Sequence, residues 1–189
     1  MWTEAEAAAI VRPALKKRRY EHTERVVETA DELCTRYGGD RGKIRLASWL
    51  HDYAKYREPE EMRALEGQGT VPEGLGGFGN ELLHSFCGAE LLKREHGLED
   101  EAVLQMIASH TTGRAGMSLE EKIVFLADYI EPGRTFDGAE TARAEAESSL
   151  DKACCTALAQ TIQFLTAKRL PVYPDTLAAY NDLLPGTVR

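Results

Sequence analysis

The chain has 189 residues, with 31 Asp and Glu against 23 Lys and Arg for a formal charge of -8 at pH 7. That length suits one domain over residues 1–189, with a core spanning about residues 3–180, and is short for two. The acidic balance argues against long nucleic acid, whose binding depends on neutralising backbone phosphates, while a local basic cluster can still hold a small anion. No apolar run approaches the roughly 18 residues of a membrane span. Residues 1–10 carry Glu4 and Glu6 and no leading basic run, so neither membrane insertion nor export is expected. Cys34, Cys87, Cys154 and Cys155 form no Cys-x-x-Cys pair and lie in apolar stretches, which predicts reduced core thiols in a cytoplasmic protein.

In chain order, almost every segment shows helical periodicity. Thr3 and Glu6 form a capping box ahead of a short helix over residues 5–11, which Pro13 is expected to end or kink. The run Lys16-Lys17-Arg18-Arg19 reads either as a solvated helix face or, because it precedes His22, as a phosphate contact. Val26, Ala30, Leu33, Cys34 and Tyr37 then recur at helical spacing, with His22 one turn before Val26 and Gly38-Gly39 as the stop. Asp40 is the expected N-cap of a helix that places Ile44, Ala47, Ser48 and His51 on one face. Glu58-Pro59 opens a short helix to about Leu65. Residues 66–79, with six glycines and Pro72, carry no secondary-structure assignment.

Asn80 is expected to cap a helix to Glu95, stopped near Gly97, with His84, Cys87, Gly88 and Leu91 on one stripe. Asp100 caps the next, in which Val103, Ile107 and His110 share a face before Thr111-Thr112-Gly113-Arg114 breaks it. Ser118 and Glu121 make a second capping box for a helix running through Ile123, Val124, Ala127, Asp128 and Ile130 toward Pro132-Gly133. Residues 138–170 read as helix divided near Ser148-Ser149, with Leu150, Ala153, Cys154, Ala157, Leu158, Ile162 and Leu165 as core. A last helix starts near Asp175 and ends before Pro185. With no convincing strand, the fold class is all-α.

Four of the five histidines, His22, His51, His84 and His110, therefore lie on inward faces of different helices, with Asp52 beside one and Asp128 on another. His96, next to a helix stop, is assigned to the surface. Each buried imidazole or carboxylate needs its own partner in an apolar core, whereas one shared cation satisfies several at once. Imidazoles with carboxylates suit iron, manganese or zinc, and the lack of a cysteine pair argues against a structural zinc knuckle.

The order His22, His51-Asp52, Asp128 resembles the His, His-Asp, Asp signature of the HD superfamily of metal-dependent phosphohydrolases, a single-domain helical bundle. Within that superfamily, Arg19-Tyr-Glu-His22-Thr, Trp49-Leu-His-Asp-Tyr-Ala-Lys55, Ser109-His-Thr-Thr-Gly-Arg114 and the run through Ala127-Asp-Tyr-Ile-Glu-Pro resemble the YqeK branch of symmetrical diadenosine tetraphosphate hydrolases. The match covers about residues 3–180, except the glycine-rich 66–79. The resemblance implies that His22, His51, Asp52 and Asp128 hold an iron ion, with manganese or another divalent metal as the alternative. It places His84 and His110 close by, contacting phosphate or, with Asp52 bridging, holding a second metal, so that Asp52, His84 and His110 are the catalytic set. It also implies substrate contacts at Arg19, Lys55, Thr111, Arg134 and Tyr173, the last packing on a base.

The implied partner is a dinucleoside polyphosphate or ADP, and a homodimer is left open. The expected reaction is hydrolysis by a metal-activated water, since no Ser or Cys has the partner arrangement of a covalent nucleophile. Symmetrical cleavage to two ADP comes from the resemblance alone. Rival readings are another HD nucleotide phosphohydrolase (a nucleoside 5'-phosphatase or guanosine tetraphosphate hydrolase) and a non-catalytic nucleotide-binding sensor.

Overall fold

A computed structural model describes residues 2–184, and the Pro185 stop lies outside them. Among the described residues there are ten α-helices, one short 3-10 helix at Leu75–Phe78 and no strand. The helices are α1 Glu4–Ala14, α2 Lys17–Tyr37, α3 Arg41–Leu50, α4 Pro59–Arg63, α5 Asn80–His96, α6 Glu101–Ser109, α7 Leu119–Ile130, α8 Asp137–Glu145, α9 Leu150–Ala167 and α10 Pro174–Leu183. No described helix is long and apolar enough to cross a membrane.

The inner layer is formed by α2, α3, α6 and α7. Helix α3 packs on α1, α2, α6 and α7, helix α2 packs on α7, and α5 closes over α6. Helices α8, α9 and α10 form a second layer, attached through the contacts of α8 and α9 with α7. Their meeting faces carry Val26, Ala30, Ile44, Leu50, Ile107, Ile123 and Leu126, all buried. Each large aliphatic side chain buried there contributes roughly 1.5–3 kcal/mol relative to exposure. The same layer holds His51 and Asp52, both fully buried. The most apolar part of the molecule is thus wrapped around its most polar residues.

Local chemistry explains most boundaries. Both capping boxes form: Thr3 Oγ1 accepts from the Glu6 amide, and Ser118 Oγ from the Glu121 amide at 3.2 Å. Asp40 and Asp100 cap α3 and α6, and Ser149 caps α9 after the break expected near Ser148-Ser149. Helix α2 opens unusually, with Lys17, Arg18 and Arg19 and no acidic residue in its first turn.

Several expectations are corrected. Helix α1 runs through Pro13 to Ala14, because a proline in the last turn forfeits a single backbone bond and the Leu15 amide still closes on Val11 at 3.0 Å. Asn80 is the first helical residue, not the cap. Gly79 takes the cap position with φ +106, and Asn80 Oδ1 accepts from Arg63 Nη2 at 2.7 Å. Helix α4 ends at Arg63 and continues as turns. Residues 66–79, which carry no assignment from sequence, hold the 3-10 helix Leu75–Phe78, with Val71 and Leu75 buried and the Gly76 amide donating to Glu66 Oε1 at 3.1 Å. Ile162 and Leu165 are only half-buried, because the far half of α9 extends past the inner layer, and Cys155, nearer its start, is half-buried too.

Candidate metal centre

His22 sits early in α2, and Asp128 lies in the last turn of α7, which packs against it. His51 and His110 are the C-caps of α3 and α6, and Asp52 follows directly in the turn after α3. The two rings meet edge to face, with centroids 4.9 Å apart. His84, buried on α5, brings its Nε2 to the same cluster.

The distances are short. His22 Nε2 lies 3.0 Å from Asp128 Oδ1, and His51 Nε2 lies 3.1 Å from Asp52 Oδ2 and 3.9 Å from Asp128 Oδ1. His22, His51 and Asp128 offer donor atoms within 4.8 Å of one another, and so do His51, Asp52 and His110. Asp52 divides its oxygens. Oδ2 faces His51 and, at 3.8 Å, His22, while Oδ1 lies 3.2 Å from His84 Nε2. His84 Nε2 in turn is 3.2 Å from His110 Nε2.

Hydrogen bonding behind the rings decides which nitrogen is free. His51 Nδ1 faces the Ser48 carbonyl and His110 Nδ1 the Ile107 carbonyl, both at 2.7 Å. A carbonyl only accepts, so each Nδ1 carries the proton and each neutral ring turns an Nε2 lone pair inward. Buried His22 Nε2, His51 Nε2, Asp52 Oδ1 and His84 Nδ1 lack hydrogen-bond partners. Orphaned buried polar atoms cost about 1–3 kcal/mol each, and a divalent cation among inward nitrogens and carboxylate oxygens relieves several together. The donor set, with nitrogen and oxygen but no thiolate, fits iron, manganese or zinc.

The surroundings keep both carboxylates ionised. Burial pushes the Asp52 carboxyl up, but the His51 and then the His84 imidazole beside it outweigh that and hold the carboxyl well below the usual range. Asp128 is likewise raised by burial and more strongly lowered by His22, His51 and Arg134 beside it. His51 is lowered by burial and, on balance, raised by Asp52 and then Asp128. Burial first, then His51 and His84, pushes the His110 imidazole down to about 3. His110 is therefore neutral at physiological pH, and the Thr111 hydroxyl can donate to its Nε2 at 3.1 Å.

A cavity of about 290 Å³ adjoins the cluster, lined by Arg18, Arg19, Arg25 and Arg134 with His22, Tyr56, Glu131 and Gly133. Arg19 Nε donates to Asp52 Oδ2, and Arg134 Nη2 to Asp128 Oδ1 at 3.0 Å. Lys55 is held by Glu81 Oε2 at 2.7 Å. Tyr173 stands apart from the cluster, in an aromatic group with Phe78 and Phe86 at ring separations of 5.1 and 5.7 Å. His96 is exposed, with Tyr53 3.0 Å from its Nε2.

Glu131 was not legible as part of this site. It is buried, and its Oε1 lies 3.0 Å from His22 Nδ1. Burial raises its carboxyl, but Arg25, then His22, then the Gly133 amide outweigh that and bring it down to about 2. The signal available was its spacing, one turn after Asp128 on the same face.

Residues 19–133 match the HD domain. The chain is 51% identical to a symmetrical bis(5'-nucleosyl)-tetraphosphatase of Halalkalibacterium halodurans, over 94% of this chain and 95% of that one. It is 43% identical to the protein of the same name from Bacillus subtilis, over 96% and 98%. Among solved structures, a predicted HD superfamily hydrolase involved in NAD metabolism from Clostridium acetobutylicum superposes with a TM-score of 0.89 at 36% identity, covering 97% of each chain.

Proposed function

The chain belongs to the HD domain family, and from that premise we propose that it hydrolyses diadenosine tetraphosphate and related dinucleoside polyphosphates symmetrically to two ADP. The observation that carries this reading is the juxtaposition of inward His22, His51, Asp52 and Asp128 donors with a cavity lined by four arginines. His22, His51, Asp52 and Asp128 would hold one iron ion, with manganese or another divalent metal as substitute. A bound divalent cation supplies an acidified water and polarises the phosphoryl oxygen under attack.

The remaining roles fall to the chain's own groups. Arg19 and Arg134 each spend some N–H donors on a carboxylate and can turn others toward phosphate oxygens. His110, neutral and backed by the Ile107 carbonyl, offers Nε2 as an acceptor, while His84 offers an N–H or, with Asp52 and His110, a place for a second ion. Thr111 can donate from the rim. Lys55 is within reach of a phosphate if it exchanges its Glu81 partner. Tyr173, with Phe78, offers a face for a base to stack on. Water adds at a β-phosphorus, and the bridging oxygen between the two central phosphates leaves on the second ADP. A cytoplasmic setting is consistent with four free thiols.

Chromatography of the products tests the reading. ADP as sole nucleotide product from diadenosine tetraphosphate supports it. AMP with ATP, or rapid cleavage of a nucleoside monophosphate without turnover of the dinucleotide, overturns it.

A further inference from the structure

The buried carboxylate of Glu131 sits at the C-cap of α7 and faces away from the convergence point of the proposed metal ligands. Three N–H groups from separate places converge on its two oxygens. His22 Nδ1 lies 3.0 Å from Oε1, while Arg25 Nε at 2.5 Å and the Gly133 amide at 2.6 Å donate to Oε2. The surroundings leave the carboxylate no slack. A side chain at Gly133 would come within 2.6 Å of the Arg25 guanidinium and 2.9 Å of both Glu131 oxygens. Arg143 also pins the backbone, with Nε donating to the Ile130 carbonyl at 3.0 Å and Nη2 to the Glu131 carbonyl at 3.2 Å.

We propose that Glu131 is the positioning residue for His22, with Arg25 and Gly133 as its clamp: it holds the ring's proton on Nδ1 and leaves the Nε2 lone pair aimed at the cation. His51 and His110 are backed by main-chain carbonyls, which substitution cannot remove, whereas His22 relies on a side chain. Carboxylate support of a ligating imidazole also raises its basicity, and loss of such support costs about 10–100-fold in metal affinity. This inference rests on the reading of His22 as a metal ligand.

Glu131→Gln is the informative variant. A carboxamide has one acceptor oxygen for three converging donors, so its NH2 group must oppose His22 or the clamp. Mn2+ affinity of the full chain, measured by equilibrium titration, is expected to fall about 10–100-fold. In a His22→Ala background the same substitution is expected to change affinity by less than about twofold, because Glu131 acts through that ring. No loss in the native background, or an equal loss in both backgrounds, overturns the proposal. If the Gln variant does not fold, the same cycle is run with Gly133→Ala, which displaces the carboxylate without changing charge, and the same two outcomes decide. Failure of the unsubstituted chain to take up Mn2+ overturns the metal reading and this inference together, whereas uptake with an indifferent Glu131 overturns the inference alone.

Discussion

Asp52 is fully buried between two groups of imidazoles, one oxygen directed to each. It also carries the only negative charge that Arg19 contacts by hydrogen bond among the described residues. Asp52→Asn keeps the shape but removes that charge and turns an amide toward one group. Metal content is expected to fall to background and turnover by more than about a hundredfold, with the helical circular dichroism spectrum retained. Normal metal content with full turnover would remove Asp52 from the site. Arg134 differs, since it touches Asp128 from the cavity side. Arg134→Ala is expected to raise KM roughly tenfold with metal retained, the signature of lost ground-state binding, and steady-state kinetics with metal analysis read both quantities.

The capping boxes belong to the scale of the element. Ser118 and Glu121 close the start of α7, and Glu121 also takes both guanidinium arms of Arg114 at 2.7 Å and the Ser109 hydroxyl at 3.1 Å. Ser118→Ala is expected to cost about 0.5–2 kcal/mol in denaturant unfolding. Glu121→Ala should cost more than that, because it also removes the buried carboxylate that Arg114 holds through two N–H groups; equal losses would show that only the cap matters. This contrast marks how far sequence reading reached. Apolar spacing over α2, α3 and α7 revealed the helices and the inward direction of His22 and Asp128, because a 3.6-residue period carries direction as well as type. Glu131 stayed hidden because a glutamate at a helix end beside Pro132-Gly133 reads as solvated. The Tyr173–Phe78–Phe86 group was invisible because its three members come from separate segments with no shared period.

At the scale of the whole molecule, the proposed metal ligands tie α2, the turn after α3 and α7 to one point, so binding is linked to global stability. A cation at a hundred times its dissociation constant adds about 2.7 kcal/mol to the folded state, and for a chain of this size that raises Tm by roughly 5–10 °C. Treatment with chelator should lower the midpoint by that amount and re-addition of metal should restore it. An unchanged midpoint, measured by scanning fluorimetry, would place the metal away from these helices.

The opening of α2 carries a different consequence. Lys17, Arg18 and Arg19 stand where the helix dipole already presents positive charge; Arg19 is paired with Asp52 and Lys17 with Glu21, so the cost of about 0.3–1 kcal/mol falls on the exposed Arg18. Arg18 is exposed and lines the arginine cavity. Substituting Arg18→Glu should therefore raise the melting temperature while weakening substrate capture, so that a more durable protein is a poorer enzyme. A bound polyanion would offset at Arg18 the repulsion that the helix start imposes, so the same side chain sets durability against capture.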